Sequence, residues 1–240
     1  MFFHSTLAWG KHTPVDDEEF RQTHKVSPGD DIPANTVFPV IAIRDPAVWA
    51  ASMCRNEYAM EWTHTNTKEI TDLQKQHCPN FVPNQIDYNL DESLYDNSTV
   101  PVTIHYAEFD RMHDSLIDHW NEYYKEYYQQ SRFPRVMVRF EDLVFHPKQV
   151  IQEVCECAGG TLKDEHGFQY SVNSAKITDG HGDDKTGYVD AIIRYGSKRF
   201  PRWQSGGMTD SDRQYVMEHI DAEMMNYFRY PYPEETAMNK

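Results

Sequence analysis

The chain has 240 residues, 39% of them hydrophobic and 13% aromatic, enough for a buried core and too apolar for a disordered segment. Thirty-eight acidic against 23 basic residues give a formal charge of −15 at pH 7, which repels polyanions and argues against a nucleic-acid or anionic-membrane binder. No run of about 18 apolar residues occurs, so no membrane span is expected.

The opening MFFHSTLAWGKHTP has neither a basic first segment nor a sustained apolar stretch and does not read as a signal peptide. The first clear element is the run VFPVIAI at 37–43, short and β-branched, as in a strand buried on both faces of a parallel sheet. Pro39 cannot donate to a ladder, so the regular strand should start at Val40. Asp45 as N-cap and Pro46 in the first turn open an expected helix, AVWAASMCRNEYAMEW. Residues 63–100 are polar, hold Pro79 and Pro83, and read as an insertion of loops and short helices.

From Ala107 to Gln130 the spacing of Phe109, Met112, Leu116, Trp120, Tyr123, Tyr124 and Tyr127 predicts a helix with an aromatic core stripe, ended before Pro134. Residues 135–140 (RVMVRF) read as a second strand. A helix over Lys148–Cys157 should bury Val150, Ile151 and Val154 and stop at Gly159-Gly160. Residues 161–200 read as mostly irregular, and a last helix should run from about Asp210 to Phe228, capped by Thr209 or Asp210. Strand, helix, strand, helix is the order of a parallel α/β sheet.

Four cysteines form no metal-type CxxC pair. Cys155 and Cys157 are expected as buried thiols. Asn97-Ser98-Thr99 is a glycosylation sequon of a kind common by chance. His113 and His119, six apart on the expected helix, make a poor metal pair, and the loop Asp179 to Asp184 lacks the alternating ligands of a calcium loop. The chemistry-bearing pattern is a strand ending in Arg44 and a helix carrying Ser52 eight residues later. The carboxyl end of a parallel strand is where α/β sheets bind ligands, and a guanidinium fork with a neutral hydroxyl suits phosphate. An Arg that ends a strand is, taken alone, more often a surface or ion-paired residue.

The segment VIAIRDPAVWAAS resembles the 3′-phosphate motif of the sulfotransferase superfamily: a buried strand, Arg-Asp/Asn-Pro, then Ser eight positions after the Arg. The resemblance continues in order. A helix with central Trp120 leads to VMVRFEDLVFHPKQVIQEVCECAGG, similar to that family's strand, Tyr-Glu-Asp-Leu, Pro and glycine-closed helix. KRFPRW and Met208-Thr209 then resemble its C-terminal cofactor loop. It covers roughly 35–160 and, more loosely, 195–230.

This resemblance implies a single α/β domain over 1–240, a parallel sheet flanked by helices of the P-loop nucleotide-transferase type. The implied reaction moves a sulfuryl group from 3′-phosphoadenosine 5′-phosphosulfate (PAPS) to a hydroxyl or amine of a small-molecule or glycan acceptor, without a metal. Arg44 and Ser52 would bind the cofactor's 3′-phosphate, and Lys198, Arg199 and Arg202 lie in the loop that would close over it. Phe140 stands where relatives often have Tyr. His12, in Trp9-Gly10-Lys11-His12-Thr13-Pro14, would be the base for the acceptor's proton, a task that suits an imidazole.

Before Val37 nothing resembles the family's Gly-rich 5′-phosphosulfate loop, which positions the transferred group on backbone N–H donors. The expectation is therefore an N-terminally shortened chain with little activity of its own. The alternatives are a non-catalytic relative that binds adenosine 3′,5′-bisphosphate or a partner, and an unrelated α/β interaction domain. A Golgi lumenal location would require an anchor upstream; otherwise the cytoplasm is expected.

Overall fold

The computed structural model describes residues 38–54, 60–62, 78–90, 92–105, 110–129, 134–161, 168–170, 187–196, 203 and 208–233. The described residues fall into two compact units, the larger from 46–129 and 203–233 and the smaller from 38–45 and 134–196.

In the smaller unit β1 (Val40–Ile43) pairs in parallel with β5 (Val136–Arg139), Val40 against Val136 through Ile43 against Arg139. Pro39 contributes its carbonyl, which accepts from the Val136 amide at 3.0 Å, so the strand does start where a ladder donor first becomes possible. β1 alternates: Ile41 and Ile43 are buried while Val40 and Ala42 are exposed. The run is thus one-sided, not buried on both faces as its composition suggests.

After β5 come α4 (Phe140–Phe145) and α5 (Pro147–Cys157), the latter with Pro in its first turn, where a missing N–H costs nothing. α5 buries Val150 and Val154, leaves Ile151 half-exposed, and closes in a Schellman turn. There Gly159 has φ +73°, and the Gly160 and Gly159 amides donate to the Cys155 and Glu156 carbonyls at 2.7 and 3.0 Å. A further helix, α6 (Tyr188–Gly196), occupies a stretch expected to be irregular.

In the larger unit α1 (Pro46–Met53) buries Ala47, Val48, Ala50 and Met53. The helix expected to continue to Trp62 does not: Met60–Trp62 is β2, the edge of an antiparallel sheet β2-β3-β4 with β3 (Val102–His105) and β4 (Asp110–His113). β4 likewise occupies the start of the helix expected from Ala107. Helix α3 (Leu116–Tyr128) begins only after Ser115, whose hydroxyl accepts from the Ile117 and Asp118 amides. Leu116, Trp120, Tyr124 and Tyr127 of the stripe are buried and Tyr123 is half-buried, Ile117 is buried besides, and Met112, on the open face of β4, is 73% exposed. The insertion does contain short helices, α2 (Gln85–Leu90) and a 3₁₀ turn (Glu92–Asp96).

The expected last helix is two, α7 (Asp210–His219) and α8 (Ala222–Tyr227). A capping box between Thr209 and Asp212 starts α7, and Asp221 caps α8 through the Met224 amide. Cys54 and Cys78, 24 positions apart in sequence, form a disulfide with Cα atoms 5.7 Å apart. Closing a loop of that length contributes roughly 3 kcal/mol by chain entropy. Cys155 and Cys157 are free, half-exposed and exposed, so they are not the buried thiols their setting suggested. No described helix is long and apolar enough to cross a membrane.

Candidate functional site

Arg44 follows β1 directly, at the carboxyl end of the parallel pair, as the sequence predicts. Its guanidinium carbon lies 5.3 Å from the centroid of the Phe140 ring and 5.2 Å from that of Tyr195. The two rings arrive from the first residue of α4 and the last turn of α6, so both helices fix this side chain. Cation–π contacts of this kind contribute about 0.5–1 kcal/mol each when partly exposed. A guanidinium recognises phosphate through its N–H fork.

The surroundings are electrostatically mixed. Asp45 is buried, and its backbone amide donates to the Glu141 carboxylate at 3.1 Å. Burial pushes the Tyr195 hydroxyl up to about 12, against the pull of the adjacent Arg44 and with the help of Glu141 and Asp45. The phenol therefore stays protonated at neutral pH and can serve as a donor. Tyr195 and Glu141 were not singled out from the sequence. The signal for Glu141 was its place after the strand, while Tyr195 sits in a stretch with no visible element.

Ser52 is half-buried in the last turn of α1. It belongs to the larger unit and Arg44 to the smaller, so each is placed within its own unit. His12, Lys198, Arg199 and Arg202 lie outside the described residues, as does the loop from Asp179 to Asp184.

A second polar cluster lies in the larger unit. His113, on β4 and not on the helix, meets His119 of α3 through Nε2 and Nδ1 at 3.1 Å, and its own Nδ1 is 2.9 Å from Glu122 Oε2. Both imidazoles are buried, and His119 packs near Trp49 and Tyr123. One ring nitrogen must donate and the other accept, so the pair cannot be doubly charged without setting N–H against N–H. Burial accordingly lowers the His113 pKa, against the attraction of Glu122. Among the described residues no group of three or more His, Cys, Asp or Glu is disposed to hold a metal ion.

No protein-family model, curated protein or solved structure matches the chain. The structure itself gives an α/β arrangement with one parallel strand pair among the described residues, flanked by helices.

Proposed function

We propose that this chain is a sulfotransferase-type protein that binds the 3′-phosphate of PAPS through Arg44 and Ser52 and moves its sulfuryl group to a hydroxyl or amine. The observation that carries this reading is Arg44 at the carboxyl end of a parallel strand, held by Phe140 and Tyr195 and followed at once by a helix that begins with Pro46 and bears Ser52. A guanidinium immobilised by rings has already lost side-chain freedom, so less entropy is lost when it meets an anion. In the reaction the acceptor's oxygen or nitrogen attacks sulfur, the sulfur–oxygen bond to the nucleotide phosphate breaks, and adenosine 3′,5′-bisphosphate leaves. His12 is the residue assigned to take the acceptor's proton, and Lys198 and Arg199 to close over the 3′-phosphate.

A second reading, a sulfotransferase-like protein that binds the nucleotide without turnover, is favoured by Asp45 and Glu141 beside Arg44, since carboxylates compete with a phosphate for the same cation. Calorimetry with adenosine 3′,5′-bisphosphate tests both. The wild type should bind, and Arg44→Ala should weaken binding about tenfold to a hundredfold, the equivalent of losing a charge-assisted contact of about 1.5–3 kcal/mol. Equal binding by the two would make Arg44 structural and overturn the phosphate assignment. Turnover, assayed as radiolabelled sulfate transfer to phenols, sterols or glycans, would select the first reading over the second.

A further inference from the structure

We propose that Asn97 carries an N-linked glycan and that the chain folds in an oxidising secretory compartment. Two observations in the larger unit carry this, neither of them dependent on the nucleotide reading. The first is the Cys54–Cys78 disulfide. Such bonds persist in oxidising compartments and are rare where thiol buffers keep cysteines reduced. Compartments that form disulfides in eukaryotic secretion also attach glycans to Asn-x-Ser/Thr.

The second is how the chain's single Asn-x-Ser/Thr triplet is displayed. Asn97-Ser98-Thr99 has Ser, not Pro, in the middle position. It lies in the bend between the 3₁₀ turn and β3, with Asn97 and Ser98 exposed. The Asn97 Nδ2 donates to the Ser93 carbonyl at 3.3 Å, a long contact at an exposed position that water or a sugar can replace. The backbone around it is fixed: the Asn97 amide donates to Leu94 at 3.0 Å, and the fully buried Val100 donates to Phe81 at 2.9 Å. A glycan at this position therefore projects from a supported turn and displaces no core residue. Tyr95, two residues earlier and 55% exposed, offers an aromatic surface on which the apolar face of the first sugar can pack.

The transfer needs a lipid-diphosphate-linked oligosaccharide as donor. The Asn97 Nδ2 bonds to C1 of its first sugar, the bond from C1 to the diphosphate oxygen breaks, and the lipid diphosphate leaves while the amide gives up one proton. No oxidation or reduction is involved.

The test is to express the full chain in eukaryotic cells behind a cleavable secretory leader and to map its peptides without reduction. Expected are a Cys54–Cys78 cross-link, a mass decrease on treatment with peptide-N-glycosidase F, and conversion of Asn97 to Asp by that enzyme. Asn97→Gln and Thr99→Ala should each abolish the mass decrease, and Ser98→Ala should keep it. Disulfide-linked wild type with an unmodified Asn97 would overturn the glycan assignment. Cys54 and Cys78 both recovered as free thiols from secreted protein would overturn the compartment. The same peptide map on protein from its native source must show the modified Asn97; bare Asn97 there overturns the proposal even if the leader-directed protein is glycosylated.

Discussion

The parallel pair β1-β5 and the antiparallel sheet β2-β3-β4 differ in how their sequences announce them and in what holds their surroundings together. The parallel pair is made of VIAI and VMVR, apolar and β-branched, and its neighbourhood is fixed by one cation between aromatic rings. The antiparallel sheet is made of MEW, VTIH and DRMH, in which polar or charged residues stand among the apolar ones. One of its faces carries Val102, Ile104 and the buried His113; the other carries Glu61, His105 and Asp110 in solvent. The larger unit around it relies on specified polar contacts: a buried carboxylate, a disulfide and a histidine pair. Apolar burial is non-directional and tolerant, whereas a buried polar group is costly when a single partner is removed. The two regions should therefore respond to mutation unequally.

The largest effect is expected at Asp212, which is fully buried in α7. Its Oδ1 accepts from the Phe81 and Val82 amides at 2.8 and 3.1 Å, and its Oδ2 from the Thr209 amide and hydroxyl at 2.8 and 2.7 Å. One carboxylate thus ties the loop at 81–82 to the cap of α7. Asp212→Ala leaves buried donors unsatisfied and should cost about 3 kcal/mol in urea unfolding, with Asp212→Asn about half of that. A loss under about 1 kcal/mol for Asp212→Ala would mean that water or repacking replaces the carboxylate, and the contrast between the regions would weaken.

The smaller unit should be more forgiving. Tyr195→Leu removes one ring from the Arg44 guanidinium and should cost about 1 kcal/mol, whereas Tyr195→Phe keeps the ring and should cost less. A double-mutant cycle with Arg44→Met isolates the pairwise part. A coupling near zero would show that the ring merely lies near the cation, and that Arg44 is not preorganised by it.

The same contrast explains what could be read from the sequence. β1 and β5 were visible because β-branched runs bounded by Pro39, Arg44-Asp45-Pro46 and Pro134 have no competing helical pattern. The caps at Thr209 and Gly159 were visible because a capping box and a left-handed turn each demand particular residues. β2 and β4 were not, because Met60, Glu61, Arg111 and Met112 favour helix and become strand only by pairing with β3, which no turn motif in the sequence announces. The His113–His119 contact depends on β4 and was hidden with it. α8 ends with Arg229 at φ +55° in the turn position that Gly159 takes after α5, so no glycine marked it. Of the candidate site, the position of Arg44 was legible from the strand it ends; its ring partner Tyr195 was not, because it reaches the cation from a helix in a stretch whose glycines suggested irregular chain.

The smallest effects, and the most diagnostic, concern two histidines of the antiparallel sheet that should shift in opposite directions. His105 is exposed between two carboxylates, with Nδ1 2.8 Å from Asp110 and Nε2 2.8 Å from Glu61, and those hydrogen bonds raise its pKa above 6.5. The folded state then holds a proton that the unfolded chain releases. The stabilisation is complete below about pH 6.5 and is lost as pH rises through the raised value. His113 is the reverse. Burial, with Arg111 adding to it, outweighs Glu122 and Asp118 and lowers its pKa, and the neutral ring bonded to His119 is the folded form. Its contribution is present above about pH 6.5 and is lost as pH falls toward the lowered value, because the unfolded chain takes up the proton first. Imidazole resonances followed by NMR from pH 5 to 9 give both midpoints without any variant, His105 above the ordinary 6.5 and His113 below it. His105→Gln should flatten only the alkaline side of the stability profile, and His113→Gln only the acid side. Two midpoints on the same side of 6.5 would mean that the two faces of this sheet are not the different environments their side chains suggest.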